Sequence, residues 1–128
     1  MATTQITQDD FQGTISGEGI TLVDFWADWC GPCRQFAPVY EKVSEANPDV
    51  TFAKVDTDAN QELAAQLQIT SIPTLMAFRD GVLVYNKPGA VPAKNLEQIL
   101  TAVRELDMDE IRKQIAEHEA GHGDAEQA

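Results

Sequence analysis

Cys30-Gly31-Pro32-Cys33 holds the only two cysteines in this chain of 128 residues. Two thiols so spaced can exchange with other disulfides, supply half of a metal site, or close a structural bridge. At a helix start, residues i and i+3 are stacked neighbours, which brings two cysteines within the Cα separation a disulfide allows. Pro32 suits the first turn, where no intrahelical N–H bond is required. With Cys30 as N-cap, the usual donors to its side chain are the second and third helical amides. The second belongs to Pro32 and does not exist, leaving the Cys33 amide as partner of a Cys30 thiolate. The unpaired amides and positive end of the helix dipole favour that anion. Cys30 therefore reads as a nucleophile of depressed pKa, and Cys33 as the resolving thiol one turn further in. A tetrahedral thiolate zinc site needs two more ligands, and the chain has no further cysteine. A structural pair would suit a secreted domain, but nothing in the sequence suggests secretion.

The elements that must position these sulfurs flank them directly. Ile20 to Ala27 is an almost unbroken apolar run of β-formers, as expected of a strand buried on both faces. Arg34 to Ser44 reads as a helix, with Pro38 inside it removing one backbone bond. Alternation along the strand puts Leu22, Asp24 and Trp26 on one face and Val23, Phe25 and Ala27 on the other. Asp24 is anomalous there. A carboxylate in a doubly covered strand loses hydration, and its pKa rises. Two readings stand side by side: an acid satisfied by nearby hydroxyls or water, or a proton acceptor for Cys33.

The segment Trp26-Ala27-Asp28-Trp29-Cys30-Gly31-Pro32-Cys33-Arg34 resembles the active-site stretch of the thioredoxin family. The likeness continues through Val23-Asp24-Phe25, Ala53-Lys54-Val55-Asp56, Ile72-Pro73-Thr74, Phe78-Arg79-Asp80-Gly81 and Gly89-Ala90, and spans roughly residues 5 to 106. It implies reduction of disulfides in other proteins, with Asp24 assisting Cys33 and Lys54 lying near Asp24 on the neighbouring strand. Further implications are a cis-Pro73 opposite the cysteines and a mildly apolar docking surface of Trp29, Gly31, Pro32, Ile72, Pro73 and Gly89. The family's partners would be disulfide-containing proteins and an NADPH-dependent reductase. No cofactor beyond the Cys30–Cys33 disulfide and no metal are expected. Pro88 departs from the family's pattern, in which a non-proline residue usually precedes the equivalent of Gly89. An oxidase or isomerase of the same fold, or a non-catalytic binding subunit, is the alternative reading.

The remaining sequence supplies a scaffold. Residues 3–6 read as a short edge strand, and Thr7 to Asp10 as a capping box opening a helix with Phe11 and Ile15 inward. Val50 to Asp56 is the next strand, completing a right-handed βαβ unit. Asp58 and Asn60 offer caps for a helix through Leu67. Leu75 to Arg79 and Val82 to Lys87 flank Asp80-Gly81, a strong hairpin signal, and Pro88 marks the second strand as an edge. Pro92, just inside a helix start, opens a segment whose Leu96, Ile99, Leu100 and Val103 follow the helical period. The sum is an α/β, thioredoxin-like three-layer fold: a central mixed sheet with helices on both faces, over residues 1–106.

Residues 107–128 form an acidic extension, expected to be helical and then disordered from about Glu119. His118-Glu119-Ala120-Gly121-His122 matches a zinc-protease pattern. Its glycine, its nearness to the chain end and the lack of a further histidine argue against a catalytic metal. Nine basic residues against 21 acidic ones give a net charge of −12, which argues against nucleic-acid and anionic-membrane partners. The N-terminus lacks the basic and apolar segments of a signal peptide. No run is long enough to span a membrane. A reactive dithiol in such a chain is expected in the cytoplasm, as a monomer.

Overall fold

The computed structural model describes the backbone of residues 2–127 and the side chains of 2–118. Its elements in chain order are β1 (Thr3–Gln5), α1 (Gln8–Ile15), β2 (Ile20–Trp26), α2 (Gly31–Ala46), β3 (Thr51–Asp56), α3 (Gln61–Gln66), β4 (Thr74–Arg79), β5 (Val82–Pro88), α4 (Ala93–Arg104) and α5 (Met108–Gln127). The five strands form one sheet in the order β1-β3-β2-β4-β5. β1, β3 and β2 run parallel, while β4 is antiparallel to β2 and β5 to β4. The apolar run Ile20–Trp26 is thus the central strand, as its lack of polar alternation demands.

The two faces carry separate cores. On one, Leu22, Phe52, Leu75 and Ala77 pack against Phe36, Tyr40 and Val43 of α2 and Leu96, Leu100 and Val103 of α4. On the other, Val23, Phe25, Ala53, Val55 and Met76 meet Phe11 and Ile15 of α1 and Leu63 of α3. Burying aliphatic and aromatic side chains of this size contributes about 1.5–3 kcal/mol each.

Local signals set the boundaries. The Thr7 amide donates to Asp10 Oδ2 at 3.3 Å at the start of α1. Asp80 and Gly81 both take positive φ, at 52° and 82°, the pair a two-residue I′ hairpin turn requires. β5 ends at Pro88 on the sheet edge, where a missing N–H costs no ladder bond.

Three expectations are corrected. α2 begins at Gly31, three residues earlier than Arg34, because Cys30 itself is the N-cap. Pro92 is the N-cap of α4 and lies outside the helix rather than just within it. Asn60 stands at the N-cap of α3 but gives it no side-chain bond. Its amide donates to the Asp56 carbonyl at 2.9 Å and its Oδ1 accepts from the Gln8 amide at 2.9 Å, tying α1 to the loop after β3.

At the far end of the sheet, Arg79 Nη1 donates to the carbonyls of Val103, Arg104 and Leu106 at 2.9, 3.1 and 2.6 Å. One guanidinium therefore gathers three carbonyls at the end of α4 and in the turn that follows it. Asp107 Oδ1 accepts from the Glu110 amide at 3.1 Å and caps α5. Met108 is buried, and Arg112 reaches Asp80 at 3.5 Å. α5 runs as helix to Gln127, where the sequence suggests disorder from about Glu119; side chains there, with most of the histidine motif, lie outside those described. No helix is long and apolar enough to cross a membrane among the described residues.

Candidate active site

β2 ends at Trp26, and α2 starts after four intervening residues. Cys30 and Cys33 form a disulfide with Cα atoms 5.2 Å apart, inside the range such a bond allows. Cys30 has extended N-cap dihedrals, and the Cys33 amide points at Cys30 Sγ from 3.2 Å. With Pro32 unable to donate, this is the one amide of the first turn aimed at that sulfur, and it would remain for a thiolate once the bond is reduced. Cys30 is 4% and Cys33 3% exposed, so exposure does not separate the two; the cap position does.

Around the sulfurs, Trp29 is the most exposed large apolar side chain among the described residues, at 67%. Its indole Nε1 donates to Asp58 Oδ2 at 2.9 Å. That fixes a flat apolar surface beside Cys30. Gly31 is half-buried and Pro32 exposed. The Ile72–Pro73 peptide bond is cis, and the Ile72 carbonyl oxygen lies 3.5 Å from Cys30 Sγ. Ile72 packs on the small cluster of Ala27, Cys30 and Cys33. Pro73 is buried, so its ring lies beneath the rim rather than on it. The Gly89 amide donates to the Pro73 carbonyl at 2.7 Å, and its φ of 106° favours glycine. Pro88 thus leaves this rim bond intact.

Asp24 sits behind the cysteines on β2 and is 0% exposed. Neither carboxylate oxygen has a hydrogen-bond partner among the described residues, so no neighbouring hydroxyl satisfies it. Loss of hydration pushes its pKa from 3.8 up to about 7, and the Lys54 cation partly opposes the rise. Lys54 is its register partner on β3. The lysine ammonium lies over the Trp26 ring, 5.0 Å from the centroid, with no carboxylate of the described residues within ion-pair distance. Tyr40 of α2 closes the same pocket. Burial, then the nearby Asp24, hold its phenol well above the ordinary value, and its hydroxyl donates to the Ala53 carbonyl at 2.8 Å.

The ten sequence-derived positions fall into two sets. Cys30, Cys33, Trp29, Gly31, Pro32, Ile72, Pro73 and Gly89 converge on one end of the sheet. Asp24 and Lys54 stand behind, in the layer below. Sequence reasoning missed Asp58, read there as a helix cap; its carboxylate instead holds Trp29. It also missed Tyr40, to which it gave no role. No group of three or more metal-ligating residues occurs among those described.

Residues 2–102 match the family model described as Thioredoxin. The chain is 51% identical over 122 residues to the putative thioredoxin 2 of Streptomyces coelicolor, covering 95% of this chain and 91% of that protein. It is 48% identical over 103 residues to a thioredoxin of Alicyclobacillus acidocaldarius, covering 80% and 98%. Among solved structures, Plasmodium falciparum thioredoxin superposes with a TM-score of 0.71 at 35% identity, covering 77% of this chain and 97% of that one.

Proposed function

The chain belongs to the thioredoxin family and is a thiol–disulfide oxidoreductase that reduces protein disulfides, and we propose that Cys30 attacks, Cys33 resolves and Asp24 takes the proton between them. In the first step the Cys30 thiolate displaces one sulfur of the substrate disulfide, forming a mixed disulfide and a substrate thiolate. Cys33 then passes its proton to Asp24 and attacks Cys30 Sγ. That expels the second substrate thiolate and leaves Cys30–Cys33 oxidised. Two electrons leave the dithiol and two enter the substrate; no cofactor takes part.

The observation that carries the assignment of roles is the Cys33 amide directed at Cys30 Sγ from the helix mouth. It stabilises negative charge on one sulfur and not the other. Support for Asp24 is its complete burial without a donor and its pKa of about 7, matched to a proton acceptor near neutrality. Lys54, on the adjacent strand, partly offsets that rise. Trp29, Gly31, Pro32, Ile72 and Gly89 frame the surface on which an extended substrate segment lies, with Pro73 shaping it from beneath.

Re-reduction of Cys30–Cys33 falls, on this reading, to an NADPH-dependent thioredoxin reductase, and a reactive dithiol of this kind suits a reducing compartment such as the cytoplasm. All of the site comes from one chain, in keeping with a working monomer. The test is insulin-disulfide reduction with NADPH and a thioredoxin reductase. Turnover by the wild type that disappears in Cys30→Ser is the expected result, and a Cys33→Ser variant should accumulate the mixed disulfide on Cys30. Accumulation on Cys33 in the Cys30→Ser protein instead would reverse the roles.

A further inference from the structure

Behind the cysteines, one row of side chains crosses three strands. Gln5 of β1, Lys54 of β3 and Asp24 of β2 are successive register partners. Trp26 follows Asp24 by two residues and therefore shares its face. Its indole Nε1 donates to Gln5 Oε1 at 3.3 Å, and its ring face receives the Lys54 ammonium at 5.0 Å. We propose that Trp26, steadied by Gln5, is a positioning residue for disulfide reduction: its ring holds the Lys54 cation at a fixed remove from Asp24.

A lysine free to swing has several destinations here. Without the ring it would follow Glu41 of α2 or turn to solvent, in either case away from Asp24. The other groups facing this pocket are occupied. Glu41 accepts from the Ala2 amide and the Thr3 hydroxyl, Asp56 beside Trp26 accepts from the Asp58 and Ala59 amides, and the Tyr40 hydroxyl is given to Ala53. Cys33 at the start of α2 is held in the disulfide with Cys30, and β4 opposes Asp24 with Leu75, which does not ionise. Among the described residues Lys54 is thus the one cation bearing on Asp24, and the indole is what localises it. An ammonium is attracted to an indole face more than to phenyl or phenol rings, so tryptophan is the residue type that best serves here. The edge strand β1 consequently reaches the active site through a side chain rather than through the backbone.

The proposal rests on the reading of Asp24 as proton acceptor, and two separate readouts keep them apart. The first is a carboxyl carbon NMR titration of Asp24 in the oxidised protein, with Trp26→Leu in the Lys54 and Lys54→Met backgrounds. Loss of the ring should raise the Asp24 midpoint by about half a pH unit more when Lys54 is present than when it is methionine. Equal shifts in both backgrounds mean that the ring acts only by excluding water, and overturn the proposal; so does a downward difference. Gln5→Ala, at an exposed edge position, should give a smaller shift of the same sign, and keeps the test available should Trp26→Leu fold poorly. The second readout is the pH profile of mixed-disulfide resolution, which should move with the midpoint. A titration that moves while that profile stays fixed supports the placement of Lys54 and removes Asp24 from the chemistry.

Discussion

Two charged side chains enter the interior of the same sheet, and the protein treats them oppositely. Arg79 in β4 finds three carbonyl oxygens at the end of α4 and its following turn. Asp24 in β2 is more deeply buried and finds no hydrogen-bond donor among the described residues. Buried polar groups are nearly always satisfied, so the second case is the exception that needs a reason. At the hairpin end the charge fastens a helix to the sheet. At the cysteine end an unsatisfied carboxylate is, on the function proposed above, the base that takes the Cys33 proton near neutral pH. Satisfaction marks the part that holds; its absence marks the part that reacts.

The contrast between the two ends is tested most severely by Cys30→Ser, which should lower insulin reduction by at least about a thousandfold while leaving the urea midpoint near that of the reduced wild type. A large stability loss would mean that the cysteine end also holds the fold. Asp24→Asn comes next. Because burial raises the folded pKa to about 7 from 3.8, the folded state retains its proton more tightly than the unfolded one between those values. Wild-type stability is therefore highest below about pH 4 and falls as pH rises through about 7. The loss is on the order of 4 kcal/mol above that. Asp24→Asn should abolish the slope in urea unfolding followed across pH, being more stable than wild type at pH 8 and similar at pH 4. It should also slow resolution of the mixed disulfide at pH 7 by about a hundredfold. A pH-independent wild type would erase the difference between the two charges.

Arg79→Met should do the reverse: about 2–4 kcal/mol lost in urea unfolding, from partly buried carbonyls left unpaired, with activity per folded molecule unchanged. The smallest effect is expected of Trp29→Ala. An exposed aromatic in a contact surface contributes about 1 kcal/mol or somewhat more to association, so kcat/KM for a protein substrate should fall roughly fivefold with no change in the unfolding midpoint.

What could be read from the sequence follows the range of each interaction. The strand, the cysteine pair and the helix occupy consecutive residues, and Pro32 alone decides which amide faces Cys30. The I′ hairpin at Asp80-Gly81 and the edge position of β5 are equally local. Asp24 was visible as an anomaly, since a carboxylate interrupts an otherwise apolar run; that it lacks every donor is a property of three strands and a helix together. Asp58 shows the limit most clearly. Beside a helix start, an aspartate is indistinguishable from a cap, and only the fold brings the Trp29 indole 29 positions away in sequence within 2.9 Å. The link from Trp26 to Gln5 spans 21 positions and was likewise invisible. Helix boundaries shifted by one to three residues because cap dihedrals depend on where the preceding strand delivers the chain.

Cys30 offers only 4% of its surface to solvent, while the neighbouring Trp29 offers 67%. On the docking surface proposed above, a partner is therefore felt first by an indole and only afterwards by a sulfur. Disulfides sunk flush in a rigid protein cannot bring their sulfur down to that slot, whereas those carried on a raised or pliable loop can. Choice among client proteins is on this geometry a matter of relief, decided by how far a bond protrudes before its chemistry is ever consulted.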